Sequence, residues 1–288
     1  MRKQSHDRPG RTGQWIALAF CTAVLAAGIL GQFIHNRPDY ARAFAPVWIP
    51  FAASLLAVTG IIQLNDRPGW LRIQKSLRWI GLLLMVWTAN GLPFDLLRLT
   101  PLMPLDVDLP GMVTRALALA AAIMIAKLVL ARPATSESTR ITAWYGYAAF
   151  LLALPYPVLR TCWAFGATIG LTTPGAAGVG FAPLLIAIPW VLAAIMSLFL
   201  VSTPRWMPRR LLLTAGWTAT TIVAMIGPAA FWSVVTRLMT GGGDPGPGGI
   251  SAWVFCLFYG SWFLWAIAGG AATRSYQLAS AGSKDVTL

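Results

Sequence analysis

Charge is what this sequence has least of. Only 11% of its 288 residues are Asp, Glu, Lys or Arg, whereas a surface facing water needs roughly a quarter. Too little polar side chain is present to cover a soluble domain, and that class is excluded. Glutamate occurs once, at Glu137, and histidine twice, at His6 and His35. A buried iron or zinc centre needs three or more converging ligands, so no metal or cofactor site is predicted. The three cysteines, Cys21, Cys162 and Cys256, form no Cys-x-x-Cys pair and lie in or beside apolar runs. They read as free thiols.

What the chain does have is apolar length: 57% of its residues are hydrophobic, and its mean hydropathy is +0.66. Runs such as Trp15 to Ile34, Phe181 to Val201 and Leu211 to Val235 match the roughly 20 residues that carry a helix across about 30 Å of hydrocarbon. The fold class is therefore all-α: a polytopic transmembrane bundle of eight helices, with spans near 15–34, 46–64, 77–94, 112–130, 143–161, 181–201, 211–236 and 250–271. The third is broken near its end by Asn90, Gly91 and Pro93, and the seventh is long enough to tilt or to bend at Gly227-Pro228. The first apolar run exceeds a signal-peptide core and lacks a small-x-small cleavage site, so it reads as the first span. Residues 1–14 form a basic tail, 15–272 one transmembrane domain, and 273–288 a second, disordered tail.

Basic residues orient the bundle. Alternate sides of an eight-span chain hold 16 and six of its 22 Lys and Arg, and four and five of its nine acidic residues. The sides thus carry +12 and +1. By the positive-inside bias the first side, with both termini, is cytoplasmic, and the protein lies in the cell membrane. The overall charge of +13 is spent on this asymmetry at lipid headgroups. Nucleic acid is not an expected partner; membrane lipids are. The proline- and alanine-rich composition, short loops and basic tails resemble those of chains from GC-rich bacteria.

The far ends of two odd-numbered spans repeat a string. Leu92-Pro93-Phe94-Asp95-Leu96-Leu97-Arg98 recurs as Leu154-Pro155-Tyr156-Pro157-Val158-Leu159-Arg160, 62 residues on, and each is followed by a Pro-Gly pair, at Pro110 and Pro174. Fainter echoes near Pro228 and Phe33 suggest four repeated helical hairpins.

Polar groups that could do chemistry collect on the extracytoplasmic side: Asp95, Arg98, Asp106, Asp108, Arg115, Arg160 and Arg237. Asp95 and Arg98 share one face of a helical turn and can pair. Arg160 lies in an otherwise apolar stretch, where a buried charge needs a partner, and Asp95 is the partner of suitable sign. Three arginines and glycine-rich turns at 172–180 and 241–249 could build an anion site. The plainer reading has the arginines reaching lipid phosphates and the aspartates in water. The 241–249 segment lacks the Lys-Ser/Thr of a nucleotide loop and reads as a connector. An aromatic eighth span, with Trp253, Phe255, Phe258, Tyr259, Trp262, Phe263 and Trp265, offers either lipid-facing bulk or a wall for a hydrophobic ligand.

Three functions fit these features. The first is a transporter or permease for a small lipophilic or anionic solute, with Arg160, Asp95, Arg98, Asp108, Arg115 and Arg237 as ligand-binding residues. The second is a membrane enzyme acting on a lipid-linked or hydrophobic substrate at the extracytoplasmic face, and the third is a structural or accessory membrane subunit.

Overall fold

A computed structural model describes residues 11–34, 45–62, 68–99, 108–130, 142–173, 175, 180–204, 206–239 and 249–282. Its elements are all helices: α1 (Arg11–Gln32), α2 (Ile49–Ile61), α3 (Pro68–Thr88), α4 (Leu92–Arg98), α5 (Leu109–Leu130), α6 (Ala143–Ala153), α7 (Pro155–Ala164), α8 (Phe181–Ser202), α9 (Arg209–Met239) and α10 (Ala252–Gly282). Among the described residues, six stretches are long and apolar enough to cross a membrane: α1, Gly69–Leu96 through α3 and α4, α5, and the greater part of each of α8, α9 and α10. Large apolar side chains such as Leu30, Leu55, Leu83, Leu151, Leu192 and Ile267 are exposed. Water would oppose that surface, and lipid matches it.

The chain divides into two compact units, residues 1–133 and 134–288. In the first, α1 packs on α2 and α5, and α3 packs on the same two helices, while α4 lies against α5. The buried stripes are narrow and built from small residues, Ala17, Cys21 and Val24 on α1 and Ala118, Ala121, Ala122 and Ile125 on α5. Between helices in lipid, association rests on close packing, which small residues permit. The α2–α3 contact is the tightest case. A Cβ on Gly81 would stand 2.9 Å from the Ala57 backbone, and one on Gly60 2.9 Å from the backbone nitrogen of Arg78. At the same end, Gln74 Nε2 donates to the Ile62 carbonyl at 2.9 Å and Arg78 Nε to that of Gly60 at 2.6 Å. These donors satisfy carbonyls that the end of α2 leaves open.

The break expected after the third span separates α3 from α4. Gly91 takes φ +90°, a left-handed turn that glycine adopts without a Cβ penalty, and Pro93 follows in the first turn of α4, where its missing N–H is no loss.

In the second unit α6 packs on α8 and α10, α9 packs on α10 and α8, and α7 packs on α8 and α10. Three layers stack along it. One gathers Leu200, Leu212, Ala272 and Tyr276; the middle one gathers Ala149, Ala153, Ala193, Ala194, Val223, Trp265 and Ala266; the last gathers Tyr156, Leu159, Trp163, Val254 and Phe258. Leu154 keeps helical angles between α6 and α7, so Pro155 and Pro157 interrupt the hydrogen-bond ladder while the chain continues its course. The helix α9 runs on through Gly227-Pro228.

The tail expected to be disordered from residue 273 is helical to Gly282. The physical reason is packing and hydrogen bonding at its polar positions. Thr273 and Tyr276 are buried, Ser275 Oγ accepts the Thr142 N–H at 2.8 Å, and Arg209 Nε donates to Ser280 Oγ at 2.7 Å.

Candidate functional site

Three ionisable side chains meet inside the first unit. Asp108 directly precedes α5 and caps it: its Oδ1 accepts the Gly111 N–H at 3.1 Å, meeting one of the donors a helix start leaves open. Two turns on, Arg115 points back. Its Nε donates to Asp95 Oδ2 at 2.6 Å, and its Nη2 donates to Asp108 Oδ2 at 3.4 Å. Asp95 reaches this point because α4, which begins after the left-handed Gly91, lies against α5. Asp95, Asp108 and Arg115 expose 0%, 2% and 6% of their surface, so solvent does little to weaken the attraction.

Asp95 and Asp108 are therefore buried and paired rather than in water, where the plainer reading places the aspartates. Asp95 is engaged by Arg115 within its own unit, because α5 is the helix its own short helix packs on.

Arg115 also reaches the wall of a cavity of about 220 Å³. Small and cyclic residues of α1 and the start of α2 make one side, including Gly28, Gly31, Pro46 and Pro50; Gln32, Thr88, Asn90, Thr114 and Arg115 bring the polar atoms. The Thr88 hydroxyl donates to the Leu84 carbonyl at 2.9 Å, and that of Thr114 to the Pro110 carbonyl at 2.9 Å. Those protons are directed along their own helices, which leaves the hydroxyl oxygens of these two lining residues as acceptors. At ~30 Å³ per water the space holds about seven waters, below the range of drug-sized pockets.

The other expected residues lie elsewhere. Arg98 follows Asp95 by one turn of α4 and is half-buried. Arg160 is on α7 in the second unit, its guanidinium carbon 5.1 Å from the Tyr156 ring centroid and 5.4 Å from that of Trp163. Arg237 belongs to the backbone of α9, with its side chain outside the described residues, as is Asp106 altogether. Among the described residues, no three His, Cys, Asp or Glu side chains converge.

The aromatic residues of the last span divide. Phe258, Trp262 and Trp265 turn inward, whereas Trp253 and Phe263 are exposed. Trp262 stacks on Trp190 at 4.1 Å and meets the edge of Tyr156 at 5.3 Å. Sequence reasoning missed Trp190 on α8, and it missed Gln32, Thr88, Asn90 and Thr114 in the cavity. Their signal was polarity at the ends of apolar runs, which acquires meaning only once α1, α3 and α5 are known to be neighbours.

Fold and site together define the class: an all-α, multi-pass membrane protein with a buried ionic network. The chain matches no family model, no curated protein and no solved structure.

Proposed function

We propose that this protein is a permease-like membrane protein whose first unit admits a small neutral or lipophilic solute. The observation that carries the reading is the buried Asp95–Arg115–Asp108 network at the wall of a 220 Å³ cavity. Ionisable groups are costly within a membrane and mark solute pathways there by default. The anionic solute considered from sequence is disfavoured at this cavity, because the strongest donor on its wall, Arg115, is already turned to two carboxylates. The acceptor lone pairs of Thr88 and Thr114 suit a solute that brings its own donors.

In this reading the chain crosses the membrane eight times with both ends in the cytoplasm. The split of basic residues supports that arrangement, and α2 and the α6–α7 pair supply the two crossings beyond the six long apolar stretches. Proteoliposomes placed in excess glycerol, urea or sodium acetate, and followed by light scattering, test the function. Faster re-swelling than in protein-free vesicles is expected for glycerol or urea, with acetate unchanged, and Arg115→Met should abolish the gain. Rates equal to those of empty vesicles for all three would remove the permease reading.

A further inference from the structure

We propose that Arg160 and the aromatic side chains around it bind the phosphate headgroup of an anionic phospholipid. Arg160 lies 17 residues beyond Ala143, the first residue of α6. At 1.5 Å per residue that is about 26 Å along the helical path, close to the far edge of a hydrocarbon layer about 30 Å thick. Headgroup phosphates lie at that level.

The side chain is prepared for such a partner. Its charge sits over the faces of Tyr156 and Trp163 at 5.1 and 5.4 Å. Ring faces attract a cation but satisfy its N–H donors poorly. Its Nε is buried and makes no hydrogen bond, and among the described residues no carboxylate pairs with it. Arg115 shows the contrast, with two carboxylates on one guanidinium. A planar fork of unmet donors matches the oxygens of a phosphate.

The cage is fixed before anything binds. Trp163 Nε1 donates to the Ile169 carbonyl at 2.9 Å, and Tyr156 is wedged by Trp190, Phe258 and Trp262. The loop after α7 is tied down in turn: Thr172 donates its N–H to the Gly249 carbonyl at 2.8 Å, and Ser251 donates to that of Gly170 at 2.8 Å. Gly170 takes φ +72°, and a Cβ there would run into Val254.

The surroundings favour a lipid over a free anion. Phe165 is 84% exposed, and Val158 and Ile169 are each 54% exposed. That apolar surface can receive acyl chains beside the headgroup. The cage is built entirely from residues of the second unit and stands independently of the solute cavity.

Native mass spectrometry of the full chain in detergent, titrated with phosphatidylglycerol, phosphatidylcholine or inorganic phosphate, tests this. Wild type should retain one phosphatidylglycerol at about tenfold lower concentration than phosphatidylcholine, as a charge-assisted contact implies. Arg160→Gln should lose that preference, Arg160→Lys should keep the charge but weaken it, and Lys127→Gln should leave it intact. If Arg160→Gln fails to fold, the lysine variant carries the comparison. Unchanged selectivity in the folded variants, or displacement of the lipid by inorganic phosphate at matching concentration, would overturn the proposal.

Discussion

Replacing Arg115 by methionine withdraws a guanidinium from two carboxylates while nearly keeping its volume. Asp95 and Asp108 are 0% and 2% exposed, so neither can recover its solvation without local opening. Leaving a buried charge without its counter-ion costs about 3–5 kcal/mol. Smaller losses are expected from the acids. Asp95→Asn removes the carboxylate charge from the 2.6 Å contact with Arg115 and should cost about 1.5–3 kcal/mol. Asp108→Asn weakens the longer, 3.4 Å contact and still presents an oxygen to the Gly111 N–H, so about 1 kcal/mol is expected. The triple variant Asp95→Leu, Asp108→Asn, Arg115→Met removes all three charges and should recover most of what Arg115→Met loses, since an apolar replacement of a whole buried network is often neutral. Unfolding by sodium dodecyl sulfate in mixed micelles, followed by far-ultraviolet circular dichroism, reads the series. If Arg115→Met lies within about 1 kcal/mol of wild type, or the triple variant is no more stable than Arg115→Met, the network is not the dry, paired site derived from its burial.

Two further outcomes test the topology and the last helix. Reporter fusions in the 131–141 segment should be active only in the cytoplasm, and fusions in the 100–107 segment only outside it; the same side for both would remove the eight-crossing arrangement. Ending the chain after Ala272 deletes Thr273, which packs on Gly216, and the buried Tyr276, and should lower the thermal midpoint of the second unit markedly. Ending it after Gly282 should leave that midpoint unchanged, as measured by fluorescence-detected unfolding.

The positions of the helices were legible because hydrocarbon thickness acts on sequence directly, through the length of an apolar run. Every expected span overlaps a helix, and the expected break separates α3 from α4, with Asn90 and Gly91 between them and Pro93 in the first turn of α4. The extension of α10 was not legible. Arg274, Ser275, Gln277 and Ser280 resemble a polar tail until Arg209 and Thr142 are seen to meet that segment. The ionic network was half visible. Asp95, Asp108 and Arg115 stood out as charges near the ends of apolar runs, but sign and side alone could not decide which arginine Asp95 would meet. That choice depends on α4 lying against α5, a tertiary fact with no local signal.

The repeated string shows how one pattern can serve two chemistries. Leu92 to Arg98 and Leu154 to Arg160 both lie in or lead into short helices that continue a longer one after a proline, α4 after α3 and α7 after α6. Both strings end in arginine. The middle position separates them: it is Asp95 in the first and Pro157 in the second, 62 residues apart. Where the acid is present, it is buried and draws Arg115 from the neighbouring helix into an ion pair. Where proline replaces it, no carboxylate is supplied, and the closing arginine rests on the aromatic faces of Tyr156 and Trp163 instead. The first arrangement completes its charges within the protein and can line a cavity for an uncharged solute. The second leaves donors to be met from outside, and at the edge of a bilayer the partner at hand is a lipid phosphate.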